Sequence, residues 1–220
     1  RVIYGLGAIK GVGEAAIESI VDNRKNNGPY HDLFDFCSRI DLKKVNRRVL
    51  ESLIRAGALD QLGDNRATLM AQLSLALKMA EQHQSLQSTG QNDLFGMDDL
   101  STAVKPDLQV VPDASREWDD DVRLKGEKET LGLYLTGHPI DRYEDELAHV
   151  VTSRIAKLSV EKSDNKYRRG QRVVIAGLVV SVAKRQTQKG TTMANMLLDD
   201  RSARSEATLL SDAFEEYKDL

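Results

Sequence analysis

Gly11 and Gly13 flank a single apolar residue, Val12, and Lys10 stands immediately before them. Glycines accept positive φ and carry no Cβ, so this spacing builds a tight turn whose backbone N–H groups stay open to an approaching anion. The turn lies between an apolar run ending at Ile9 and a segment with helical spacing at Ala16, Ile17, Ile20 and Val21. A helix therefore starts at about Gly13 or Glu14 and points its positive dipole end at the turn. Phosphate is the ligand such a turn suits. Val12 is expected to plug the turn into a core, and Lys10 to offer a side-chain charge. Glu14 suits the helix dipole but opposes phosphate.

The apolar-Lys-Gly-Val-Gly spacing resembles the helix-hairpin-helix family, which holds DNA by its backbone without reading bases. A ligand-free αα-hairpin with a glycine turn has the same spacing. The charge distribution bears on the choice. The chain of 220 residues carries a formal charge of −3, which argues against a DNA binder. Yet Arg39, Lys43, Lys44, Arg47, Arg48 and Arg55 face only Asp41 and Glu51, and a second basic stretch runs from Arg154 to Lys189. Between them, residues 93–121 are strongly acidic. Two anion-facing surfaces joined by a solvated connector account for this pattern; solvated faces without a partner would look the same.

The elements that must position these residues follow from periodicity and caps. The spacing predicts a strand end at Arg1 to Tyr4, then the hairpin and a helix to about Arg24, stopped by Asn26-Asn27-Gly28-Pro29. Asp32 can cap a short helix carrying Phe34, Cys37 and Ile40, and Val45, Val49, Leu50, Leu53 and Ile54 mark the next, ended by Gly57. After a turn at 58–63, Asp64 or Asn65 caps a helix with Leu69, Leu73, Ala76, Leu77 and Ala80 inward. This second helix-turn-helix reads as a degenerate hairpin, because Gly57 and Gly63 do not reproduce the first spacing. Beyond Ala80 the sequence turns polar and the helical pattern dissolves.

Inside that polar stretch stand Leu94 and Phe95, preceded by Gln91 and Asp93. Large apolar residues with no local core point to a partner or fold back onto the helices. The pattern resembles the short peptide by which bacterial replication proteins bind the ring-shaped sliding clamp, with Gln91 at the pocket rim and Leu94 and Phe95 filling it. Farther on, Ser115 can cap a helix through Trp118, Val122, Leu124 and Leu131. The cluster Glu117, Asp119, Asp120 and Asp121 is not read as a metal site, since adjacent helix positions point in different directions. A helix over Asp141 to Val150 follows, then strands over Val173 to Val182, Thr191 to Leu198 and Glu206 to Leu210, and a helix opened by Phe214, Glu215 and Tyr217. Strand, strand, strand and helix is the first part of an oligonucleotide-binding (OB) fold. Arg172 opens the first strand, and Lys184, Arg185 and Lys189 are expected in its hairpin loop, where this fold meets single strands. Aromatic stacking platforms are scarce there.

The stretch Gly126 to Ile140, a helix running into Leu133 and Tyr134 and then the turn Thr136-Gly137-His138-Pro139, closely resembles a signature of the bacterial DNA polymerase III alpha subunit family. His138 reads as a turn-stabilising residue. The family carries helix-hairpin-helix elements, an internal clamp peptide and an OB barrel in this order. The resemblance implies an α+β chain, a mainly helical helix-hairpin-helix domain followed by a truncated all-β OB barrel. Its parts are 1–84, a DNA- and clamp-binding domain; 85–113, a linker with the clamp peptide; 114–150, a helical connector; and 151–220, the first part of the barrel. With Arg1 first and later strands missing, the chain reads as an excised piece.

The resemblance implies a parent that adds nucleotides with magnesium, and a piece that is noncatalytic and holds no cofactor. Duplex backbone contacts fall to Lys10, Gly11, Val12, Gly13, Lys43, Lys44, Arg47 and Arg48; clamp contacts to Gln91, Asp93, Leu94 and Phe95; single-strand contacts to Arg172, Lys184, Arg185 and Lys189. Partners are double- and single-stranded DNA, the sliding clamp and other replicase subunits, with no membrane. The single cysteine, Cys37, and the lack of a signal peptide or membrane-length apolar run fit the cytoplasm. A standalone repair accessory protein with the same two modules, or an RNA-binding barrel protein, is the rival, but neither has a reason to carry Gly126 to Ile140. The clamp peptide is tested by replacing Leu94 and Phe95 with alanine. The expected loss is about 3 kcal/mol, a weakening of clamp binding by roughly a hundredfold in a calorimetric titration, with an unchanged melt.

Overall fold

The computed structural model of the protein describes residues 4–88, 116–158, 172–187 and 190–219. The chain is α+β and divides into two compact units, residues 1–136 and 137–220. The boundary falls inside the stretch expected to serve as a connector.

In the first unit a 3-10 turn, Leu6–Ala8, leads into the glycine hairpin and α1, Glu14–Asn27. This helix outlasts the expected end at Arg24 by almost a turn, because Asn26 and Asn27 stay helical and only Gly28, at φ +81°, leaves it. The next helix, α2 (Leu33–Arg39), is capped by the Asp32 carboxylate, which accepts from the Asp35 N–H at 2.8 Å. Its buried side is Leu33, Phe36 and Cys37, continued by Ile40, while Phe34 is only half-buried, which corrects the expected stripe. Asn46 caps α3 (Arg47–Arg55), accepting from the Val49 N–H at 3.2 Å, and α3 buries Val49, Leu50, Leu53 and Ile54. The long helix α4 (Arg66–Ser88) buries Leu69, Leu73, Ala76 and Ala80 against α2 and α3. Of the two candidate caps it uses Asn65, which accepts from the Thr68 N–H at 2.8 Å. It does not stop near Ala80: glutamine and glutamate are fair helix formers, and no glycine or proline intervenes before Gly90.

The last helix of this unit, α5 (Asp120–Leu131), begins at Asp120 after Asp119, four residues later than a helix capped by Ser115 would begin; Ser115 lies outside the described residues. Trp118 precedes the helix and packs on the core, and Val122 faces solvent, so neither sits on a buried helical stripe. Leu131, Trp118 and Leu133 join the core built by α1 to α4. Residues 116–136 thus close over the helical unit from the far end of its sequence.

The second unit opens with the turn foreseen around His138. Its Nδ1 accepts from the Ile140 N–H at 3.2 Å, and Asp141 accepts from the His138 N–H at 2.9 Å, capping a 3-10 turn over Pro139–Tyr143. The single helix expected from Asp141 is therefore that turn followed by α6 (Glu144–Val150); α7 (Ile155–Leu158) comes next. Strands β1 (Leu178–Gln186), β2 (Thr192–Asp199) and β3 (Arg204–Leu209) form an antiparallel sheet in sequence order, and α8 (Ser211–Tyr217) buries Phe214 against it. The first strand starts later than Val173 and runs past Val182, to Gln186. Upstream, Val174 pairs with Thr152 rather than with a strand, its carbonyl accepting from the Thr152 N–H and its N–H donating to the Thr152 hydroxyl, both at 2.9 Å. Downstream, Lys184, Arg185 and Gln186 continue the ladder opposite Ala194, Met193 and Thr192.

One glycine is required by its surroundings. Gly57, at φ +76° after α3, leaves room for the Arg66 guanidinium, and a Cβ there would collide with it. Gly57→Ala is expected to cost at least about 2 kcal/mol and to lower the thermal midpoint by several degrees, measured by circular dichroism.

Candidate nucleic-acid interface

Ile9 and Val12 are buried and hold the two ends of the hairpin in the core, while Lys10, Gly11 and Gly13 between and beside them are exposed. Gly11 turns the chain at φ +88°, and the Val12 N–H closes the turn on the Ile9 carbonyl at 3.1 Å. Gly13 is the extended N-cap of α1 and contributes no side-chain cap. Among the described residues nothing accepts from the N–H groups of Gly11, Gly13, Glu14 and Ala15. A Cβ at Gly13 would meet nothing within 4 Å, so space above the turn is open. Four outward donors, a helix N-terminus and the Lys10 ammonium can together receive an oxyanion. Ser52 of α3 lies against Gly11, its Oγ 3.5 Å from where a Cβ would stand. Arg48 is four residues before Ser52 and so shares that face of α3.

The turn is fixed from behind by α5. The Lys10 N–H donates to the Thr130 carbonyl at 2.8 Å, and Tyr4 donates its hydroxyl to the Leu131 carbonyl at 3.3 Å. The helix is itself anchored through Glu127, which is fully buried. One Glu127 oxygen accepts from Arg66 Nη1 at 2.9 Å and the Thr136 hydroxyl at 2.8 Å; the other accepts from the N–H groups of Leu135 and Thr136 at 2.6 and 3.0 Å. Arg66, nearly fully buried, also makes a two-pronged pair with Asp60 at 2.8 and 2.9 Å and reaches the Arg55 carbonyl at 3.3 Å. Burial pushes the Glu127 carboxyl up, but these donors outweigh it and hold it below the usual carboxylate range. Glu117 behaves alike: burial raises it, and the N–H groups of Arg66, Trp118 and Ala67 bring it below normal. Its carboxylate receives the Arg66 and Ala67 amides at 3.1 and 3.2 Å, so it caps α4 from fifty residues away.

Sequence reasoning did not single out Arg66, Glu127 or Thr130. The signal for Glu127 was available, because Leu124, Glu127 and Leu131 are spaced three and four apart and place a carboxylate on the apolar stripe of α5. Two more members of the acidic cluster have ordinary partners: Asp119 pairs with Arg116, and Asp120 with Arg123. Cys37 is no nucleophile, since burial pushes its thiol up to about 12.

Of the other sequence-derived positions, Lys43 and Lys44 sit exposed in the turn before α3, and Arg47 and Arg48 on its exposed first turn. Arg47 is committed to Glu51 at 2.9 Å. Gln91, Asp93, Leu94 and Phe95 lie outside the described residues, as does Lys189. Arg172 is exposed ahead of β1. Lys184 and Arg185 are in β1 rather than in its loop, and as neighbours in a strand they point to opposite faces. Lys184 sits over the Phe214 ring, 5.4 Å from its centroid.

Residues 1–69 match the helix-hairpin-helix motif family. The glycine turn between two helical segments is the class-defining element of that family, so this part of the first unit, residues 1–69, is a helix-hairpin-helix domain. Across its length the chain is similar to DNA polymerase III alpha subunits: 47% identical to that of Vibrio cholerae over 98% of this chain, 45% to that of Escherichia coli over 100%, and 42% to that of Pseudomonas fluorescens over 100%. The chain belongs to the DNA polymerase III alpha subunit family, and it spans 18–19% of the length of these relatives. Among the described residues no helix is long and apolar enough to cross a membrane.

The depressed carboxyls set an acid limit. Their stabilisation is complete above the ordinary value of 4.5 and is lost as pH falls through the lower folded values. The chain is expected to lose stability on acidification from about pH 4.5 downward, and Glu127→Gln to flatten that dependence in urea melts taken between about pH 3 and 6.

Proposed function

We propose that this chain is a noncatalytic, DNA-holding stretch of a bacterial replicative polymerase. The observation that carries the reading is the hairpin at 10–13, with four unpaired N–H donors from Gly11 to Ala15 and an unobstructed approach over Gly13. Such donors contact phosphate and carry no base information, so duplex would be held without regard to sequence. Lys10 would add one phosphate contact, and Lys43, Lys44, Arg47 and Arg48 would extend the track along α3. Glu14 sits beside the donors and limits affinity, in keeping with a grip that works on DNA already delivered by other parts of the polymerase.

The remaining roles follow the family resemblance. Gln91, Asp93, Leu94 and Phe95 would bind the sliding clamp as a tethered peptide, whose modest affinity suffices when the polymerase is on DNA. The sheet of the second unit, followed by α8, has the strand and helix order with which an OB fold begins, and Arg172, Lys184, Arg185 and Lys189 would meet single-stranded DNA there. Nucleotide addition and its magnesium would belong to other parts of the polymerase, along with further replicase subunits as partners, in the cytoplasm. Identity above 40% across the whole chain supports this over a standalone accessory protein.

Gly13→Ala is the direct test of the grip, because the new methyl meets no protein atom and so leaves the fold intact while filling the space a phosphate would use. Fluorescence anisotropy with a short labelled duplex should show binding weakened about tenfold, ~1.4 kcal/mol, with an unchanged melt. Lys10→Ala should make the plot of log K against log salt shallower by about one. Unchanged affinity in both variants would mean that the hairpin is only a structural turn.

A further inference from the structure

We infer that the buried Arg66–Glu127 pair sets the geometry of the hairpin, which makes Glu127 a positioning residue for duplex binding although it touches no DNA. The inference rests on the duplex reading above. Its ground is a continuous set of contacts. The second helix-turn-helix, α3 to α4, also turns on a positive-φ glycine, Gly57, but there the space beside the turn is filled by the Arg66 guanidinium. Asp60 takes one edge of that guanidinium, and Nη1 is met by Glu127 of α5 at 2.9 Å. What the first turn leaves open to a ligand, the second turn fills from within and uses to seat α5.

Seating α5 places the Thr130 carbonyl, three residues beyond Glu127, against the Lys10 amide at 2.8 Å. Among the described residues this is the one main-chain bond from the 10–13 turn to an element beyond the hairpin and α1. Rotation or retreat of α5 would release Lys10 and loosen the turn that carries the unpaired amides of Gly11 and Gly13. Two further contacts hold the helix at this depth. A Cβ on Gly126 would stand 3.4 Å from the Arg55 Cβ, so α5 lies close against α3 here, and Arg55 pairs with Glu129 at 3.3 Å. Thr130 returns its hydroxyl to the Gly126 carbonyl at 2.7 Å, keeping its polar atom off the core.

The experiment uses Glu127→Gln in the 220-residue chain, with Thr136→Val as the milder variant should the first not fold; the latter removes only the 2.8 Å hydroxyl bond to Glu127. Amide hydrogen exchange is followed at Lys10 and, for comparison, at Leu50 and Leu53 in the core of α3. Duplex binding is measured by anisotropy over a range of salt, alone and combined with Gly13→Ala. The expected result is exchange at Lys10 about tenfold faster with Leu50 and Leu53 unaltered, affinity about tenfold lower with a shallower salt slope, and a double variant with Gly13→Ala weakened by clearly less than the product of the two single losses. Exchange at Lys10 that is unchanged, or that rises only together with Leu50 and Leu53, overturns the inference and leaves the duplex reading intact. Indifference of duplex binding to Gly13→Ala overturns the duplex reading and this inference with it.

Discussion

The helical unit depends on one buried ion pair. Removing a guanidinium and a carboxylate from water is costly, and such a pair is tolerable only when every donor and acceptor is used. Arg66 comes close to that condition, giving four of its five side-chain N–H groups to Asp60, Glu127 and the Arg55 carbonyl, and Glu127 meets it with Arg66, two main-chain amides and a hydroxyl. The pair adds little net stability over apolar residues of the same volume, but losing one member strands the other at a cost of about 3–5 kcal/mol. Its value is geometric. It joins the turn after α3, the start of α4, the whole of α5 and the bends from Gly132 to Thr136, and through Thr130 it reaches the hairpin.

The same device recurs in the second unit with other residues. Asp200 is buried, and its carboxylate accepts from Ile155 N–H at 2.7 Å, from the Ser202 hydroxyl and N–H, and from the Ala203 N–H. Asp199 beside it accepts from Arg204 at 2.7 Å and from the Arg201 N–H, and lies 3.4 Å from His138 Nε2. Burial raises both carboxyls and their donors bring them below normal, Arg204 first for Asp199 and the Ser202 hydroxyl first for Asp200. A turn that takes Arg201 to φ +69° is thus pinned to the start of α7 and to the His138 turn by two adjacent carboxylates.

Local signals were legible where one residue decides the outcome. Asp32 and Gly28 were read correctly as helix ends because a cap needs only its own neighbours, and Val12 as a plug because a lone apolar residue between glycines has one place to go. The hairpin positions were therefore visible without a structure. Signals that depend on distant chain were not. The start of α5 was misplaced because Glu117, a good first-turn residue in sequence, is spent on α4 instead. The early limit of β1 was misjudged because Val174 is diverted to Thr152, and its late limit because basic residues read as loop when their partners Met193 and Ala194 are unseen. Polarity after Ala80 was mistaken for the end of α4, although a solvated helix needs only propensity to continue. The region that most resembles the polymerase family, from Gly126 onward, turns out to be occupied with packing and capping rather than with chemistry.

The closure of the first unit by α5 also constrains how the chain can acquire its structure. Lys10 and Thr130, Tyr4 and Leu131, and Arg66 and Glu127 are separated by 120, 127 and 61 residues, so the contacts that complete the unit are among its least local. Contacts of this kind form slowly, because the intervening chain must be ordered before they repay its entropy. During synthesis, which proceeds from the amino end, α1 to α4 emerge with Arg66 held by Asp60 and the Arg55 carbonyl but without Glu127, and with a cleft where α5 will lie. Only when residue 136 has cleared the ribosome can that cleft fill, and until then the Lys10 amide has no acceptor. The glycine turn would thus be among the first parts of the unit to be made and among the last to be held in place.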